Sequence, residues 1–181
     1  VGRKSNCLES RGSIAAYLTA GRQVAKGFPL VSRALPQTLS PGDRGYPRRL
    51  DGVPGAPAWL DVLGTLDDRP LSVAVVGARA ASAEAQERAF ALGRDVAARG
   101  GLVVSGGALG VDGAAHRGAL AGGGPTWAVL GSGVDVPYPP RHAPLFDDLV
   151  AAGGAVVSTL PRGSQPLPRH FVARNAVIAA L

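Results

Sequence analysis

The sequence predicts a doubly wound α/β fold on a mainly parallel sheet, preceded by a short basic N-terminal appendage. Three observations carry that prediction. Four short, continuously apolar runs recur from Ser72 onward: "SVAVVG", "GLVVSGG", "TWAVLGSG" and "GAVVSTL". Each is followed by a segment of helical character, so the strands are expected to be parallel and covered on both faces. In each run glycine or hydroxyl residues follow the apolar stretch, which gathers small side chains at the carboxyl ends of all four strands.

Taken in order, residues 1–35 are weakly patterned, with one short helix expected over Ser13–Ala25 and Ser13 as its cap. The Arg-rich, acid-poor character of this stretch also fits a targeting segment. Leu35–Pro57 reads as an extended connector with turns, because prolines and glycines punctuate it throughout. These residues, 1–57, form the expected appendage and connector, and residues 58–181 the expected domain. Trp59–Leu66 predicts a strand and turn. Val73–Val76 predicts the first strand of the parallel set, and Ser82 the cap of a helix running to about Arg99. Further helices are expected over about Val111–Ala121 and Ala143–Ala152, and a last one from Phe171.

Charge is uneven along the 181 residues. The net charge is +6, but residues 1–50 hold nine basic against two acidic residues, and the remainder ten against eleven. The basic excess therefore belongs to the N-terminal segment. A single cysteine, Cys7, excludes an internal disulfide framework and suits a reducing, cytoplasmic setting. No apolar run approaches the roughly 18 residues of a membrane span. The three histidines, His116, His142 and His170, lack metal-ligand spacing, and no metal or cofactor is expected.

The strand ends carry the candidate chemistry, since ligands of open parallel sheets bind at that rim, where strand order switches. Ser105, Gly106 and Gly107 leave their strand without bulky side chains. Their amides, with the N-terminus of the next helix, are expected to seat an anion. Gly131, Ser132 and Gly133 offer a second such loop. No Gly-Lys-Ser/Thr follows, so neither is a Walker loop. Ser105, Asp112 and His116 have the residue types of a hydrolytic triad, but no nucleophile elbow surrounds Ser105. Asp112 and His116, four apart, are instead expected to pair on one helix face as scaffold. Arg79, two residues beyond Gly77, can reach the rim. "PRHFVARN" adds Arg169, Phe171, Arg174 and Asn175, which offer cations for a phosphate backbone and a ring for a base.

Together, "YPRRL" (46–50), "AVVGARAAS" (74–82), "VVSGGALGVDGAAHRGAL" (103–120), "AVLGSGVDVPYPPRH" (128–142) and "FVARNAVIAAL" (171–181) resemble the DNA-processing protein A family (DprA/Smf). The resemblance implies an extended Rossmann-like domain that binds and protects single-stranded DNA in natural transformation, without turnover chemistry, and passes it to a RecA-type recombinase. It implies phosphate contacts from Arg79 and Arg174, backbone donors from the glycine loops, and a stacking surface at Phe171. The chain departs from the family pattern at Thr159, Val172 and Ala176, where an acid, a proline and a second arginine are expected. The family's domain continues past this last helix, with further strands and a self-association surface, so the chain is expected to be truncated relative to it and to leave an apolar sheet edge. A nucleotide-handling enzyme like the cytokinin-activating phosphoribohydrolases is the competing reading. Its "PGGxGTxxE" element has no counterpart here.

Overall fold

The computed structural model describes residues 35–181. The helix expected over Ser13–Ala25, the targeting character of that stretch and Cys7 lie outside the described residues. Six strands form one sheet: β1 (Gln37–Leu39), β2 (Leu60–Gly64), β3 (Ser72–Ala74), β4 (Leu102–Ser105), β5 (Thr126–Val129) and β6 (Ala155–Ser158). Their order is β1-β2-β6-β5-β4-β3. Strands β3 to β6 are mutually parallel, β2 runs antiparallel to β6, and β1 antiparallel to β2. Among the described residues, four α-helices accompany them: α1 (Ala83–Ala98), α2 (Val111–Ala121), α3 (Ala143–Ala151) and α4 (Pro168–Ala180).

The two faces of the sheet follow from side-chain alternation along apolar strands. Val103 points to the face covered by α1 and α2, and Ala128 and Val156 to the part covered by α3. Leu102, Val104, Trp127, Val129, Ala155 and Val157 point the other way, onto Val177 and Ile178 of α4 and onto Tyr46 and Leu50. The proline-rich stretch before β2 thus supplies part of the core. Its Arg49 reaches Asp68 at 2.8 Å and the carbonyls of Arg69 and Leu181, holding the end of α4.

The α/β class with helices on both faces of a mainly parallel sheet agrees with the sequence; among the described residues the parallel strands follow one another without a switch in order. Strands β3 to β6 step across the sheet in chain order, so right-handed crossovers place α1, α2 and α3 on one side. Only α4 returns over the other. A shared rim forms nonetheless, because parallel strands put all their carboxyl ends on one edge. Strand β3 is itself an edge, with Leu71 and Val76 exposed beside it.

Helix boundaries track local chemistry. The Ser82 hydroxyl accepts from the Ala85 amide, capping α1. Helix α4 begins at Pro168, three residues before the expected Phe171, because proline is pre-shaped for a first turn. Helices α1 and α2 approach closely: a Cβ on Gly93 would overlap the Ala115 carbonyl, and one on Gly118 the Phe90 carbonyl. Gly118→Ala is therefore expected to lower unfolding stability by about 1–3 kcal/mol in urea titration. An unchanged midpoint would mean the two helices part freely.

Candidate functional site

At the carboxyl ends of β3 and β4, against the first turns of α4, the surface sinks into a recess of about 190 Å³. It is lined by Val76, Gly77, Arg79, Ala108, Asp112, Phe171, Val172, Arg174 and Asn175. Across the Arg79–Phe171 contact lies a smaller recess of about 60 Å³, walled by Leu109, Tyr138 and Pro139. Glycines permit this convergence. Gly131 lets the Phe171 ring lie against the end of β5, where a Cβ would come within 2.7 Å of it. Gly110, at φ +76°, lets the start of α2 meet the Ala78 carbonyl.

Two backbone amides of the glycine loop are already taken. Asp112, buried at the start of α2, accepts from the amides of Gly106 at 3.1 Å and Ala108 at 3.4 Å. An internal carboxylate therefore sits where an external anion was expected. Burial pushes its carboxyl above the ordinary carboxylate range, while those amides and Arg174 pull it back. The second loop is likewise closed by the chain: the Gly133 amide donates to the Ser164 carbonyl, and the buried Ser132 hydroxyl to the Val136 carbonyl.

Arg174 is buried to 6% exposure, and its Nη1 donates to the carbonyls of Gly106 and Val129. It fastens α4 to the ends of β4 and β5. A Cβ on Gly106 would overlap its guanidinium, so that glycine makes room for the arginine. Burial lowers the pKa of Arg174, and the Asp112 carboxylate opposes that shift. Arg79 stands differently. It is exposed, and its guanidinium lies 4.7 Å above the centre of the Phe171 ring. Tyr138 packs against the same ring at 5.6 Å, tilted by 43°. With Arg79 and Arg174 against Asp112, the recess carries one net positive charge.

Several expected roles are corrected by this geometry. Asp112 and His116 do not pair, because the carboxylate turns to the loop amides. His116, fully buried, instead lies 2.8 Å from the Thr126 hydroxyl, which donates to the Val103 carbonyl. Ser105 is also fully buried and donates to the Val75 carbonyl, so no triad forms with them. Arg174 is an internal tie and only partly a rim cation. Phe171 is half-buried, with Arg79 covering one face, so a base reaches it only as that guanidinium moves. Arg169 is exposed on the first turn of α4, outside the recess lining. Loop Ser158–Leu160 buttresses from behind: the Ser158 hydroxyl donates to the Ser132 carbonyl.

Three participants escaped the sequence reading: Tyr138, His142 and Arg117. His142 lies 2.9 Å from the Gly107 carbonyl and 3.3 Å from Arg117 Nη2. The one available signal was "PYPPRH" (137–142), an aromatic and a histidine beside prolines in the segment that leads from β5 into α3.

A family model described as DNA recombination-mediator protein A matches residues 37–181. The chain belongs to that family. It is 39% identical over 151 residues to Protein Smf of Synechocystis, covering 81% of this chain and 38% of the relative. It is 43% identical over 125 residues to the putative DNA processing protein DprA of Mycobacterium tuberculosis, covering 69% and 31%. The X-ray structure of DNA processing protein A from Streptococcus pneumoniae superposes with a TM-score of 0.70 at 38% identity, covering 80% of this chain and 50% of that one. DNA processing protein A from Helicobacter pylori, a structure described for its single-stranded DNA binding mode, superposes at 0.72 and 29%, covering 82% and 66%. The chain spans less than half the length of these two curated relatives. Among the described residues, no helix is long and apolar enough to cross a membrane.

Proposed function

We propose that this chain binds single-stranded DNA along the rim formed by Arg79, Phe171, Asn175 and the glycine loop, as a non-catalytic member of the DNA-processing protein A family. The observation that carries the reading is the exposed Arg79 guanidinium stacked on Phe171 at the mouth of a net-positive recess. Such a pair offers a charge for a phosphate and, once displaced, an aromatic face for a base. The likeness to a Helicobacter structure described for single-stranded DNA binding supports it. Because Asp112 occupies the amides of Gly106 and Ala108, phosphate contact falls first to the Arg79 side chain. Protection of the strand and its hand-over to a RecA-type recombinase during natural transformation belong to the same proposal.

Fluorescence polarisation with an oligothymidylate tests it. Binding is expected to weaken steeply with salt through counterion release. Arg79→Ala is expected to weaken it about tenfold and to shallow the salt dependence by about one counterion. Absent or salt-insensitive binding overturns the reading. Release of a base from a nucleoside monophosphate would replace it with a nucleotide-handling enzyme.

A further inference from the structure

The loop after β4 is tethered from two sides. On the recess side, Asp112 holds the amides of Gly106 and Ala108, and Arg174 the carbonyl of Gly106. Gly107, at φ +67°, turns its own carbonyl away from that side, a conformation open to glycine. That carbonyl meets the buried His142, which stands on the short 3-10 turn Pro140–His142 between β5 and α3.

The protonation of this ring follows from its partners. A carbonyl only accepts, so His142 Nδ1 carries the hydrogen and donates to Gly107 at 2.9 Å. Nε2 is then a lone pair, and it accepts from Arg117 Nη2 at 3.3 Å. The groups around the ring are Asp112, His116 and Arg117 from α2, Arg141 from its own turn, and the edge of Phe146 from α3 at 6.3 Å. Burial and the two arginines keep His142 below the ordinary histidine range, so it is neutral near pH 7. The relay thus runs from Arg117 through a neutral imidazole to the loop.

Its position gives the relay a consequence. His142 lies four residues beyond Tyr138 and three beyond Pro139, which wall the smaller recess opposite Gly106 and Ala108. One hydrogen bond therefore joins the two walls between which the Arg79–Phe171 pair sits. We propose that His142 is a positioning residue of this site: by clamping the Gly107 carbonyl, with Arg117 holding the ring from behind, it sets the spacing of the rim that receives the nucleic-acid strand. This rests on the DNA-binding reading above and names a part of the machinery that does not touch the ligand.

Two measurements on the whole chain test it. Long-range ¹H–¹⁵N spectra should show His142 protonated at Nδ1 and bare at Nε2; the opposite tautomer overturns the clamp. In oligothymidylate titrations at fixed salt, His142→Ala should lose about tenfold in affinity, the share of one hydrogen bond in a low-dielectric site. His142→Asn, whose amide can donate from nearly the same place, should stay within about twofold of the parent. Equal losses in both variants, or loss in neither, overturn the proposal. Should His142→Ala fail to fold, Arg117→Met takes its place: a several-fold loss is expected, and unchanged affinity overturns the relay. A parent chain that binds no oligothymidylate sinks the DNA-binding reading itself. A parent that binds, with indifferent His142 variants, sinks only this inference.

Discussion

Arg174→Ala should destabilise the fold by about 3–5 kcal/mol, the scale of removing one partner from a buried charged network. The substitution strips the carbonyls of Gly106 and Val129 of their donor and removes the positive charge that favours the buried Asp112 carboxylate. It also opens the space that Gly106 keeps for the guanidinium. Chemical denaturation is the check, and Arg79→Ala is the control. Arg79 is exposed and rests on a ring face, so its loss should leave the unfolding free energy within about 0.5 kcal/mol of the parent while weakening DNA binding. A stable Arg174→Ala variant that merely binds DNA less well would show that Arg174 is a ligand contact and not a tie. The two arginines look alike in the sequence, yet their expected phenotypes are opposite.

Acid should destabilise the domain through His116. Complete burial, with smaller contributions from His142, Arg117 and Arg174, lowers its pKa to about 3. The unfolded chain titrates near the ordinary 6.5, so between these values it binds more protons than the native state. Stability is then present above about pH 6.5 and lost as pH falls towards 3. Between pH 7 and 4.5 this histidine alone is expected to remove about 2–3 kcal/mol. His142 acts in the same direction, since its pKa is also lowered. Asp112 opposes both. Its raised pKa means that acidification relieves a buried carboxylate. Urea titrations across this range should show the loss in the parent and a much flatter profile in His116→Gln. Parallel profiles would mean that His116 titrates alike in the folded and the unfolded chain.

The parallel core was legible because its signals are local. Runs such as "LVVS" and "AVVS" are apolar at every position, and strands covered on both faces need that pattern. Ser82 marked a helix start by its own side chain, and α2 fell on the expected residues, Val111–Ala121. The convergence of Arg79, Phe171, Arg174 and Asn175 was also anticipated, since parallel strands share one rim whatever their order.

What each residue does at that rim was not legible. Glycines that read as an anion seat turn out to admit Arg174 and Phe171, and the seat itself is filled by Asp112. A buried arginine with two carbonyl partners and an exposed one on a ring are the same letter in the sequence. Composition and periodicity determined the strands, the helices and the edge where they gather, because those depend on neighbours a few positions away. Only the tertiary structure decided which polar groups are spent on one another and which remain for a ligand. Hydrogen bonds between residues 68 apart, as from Arg174 to Gly106, depend on chain crossings that local pattern does not encode.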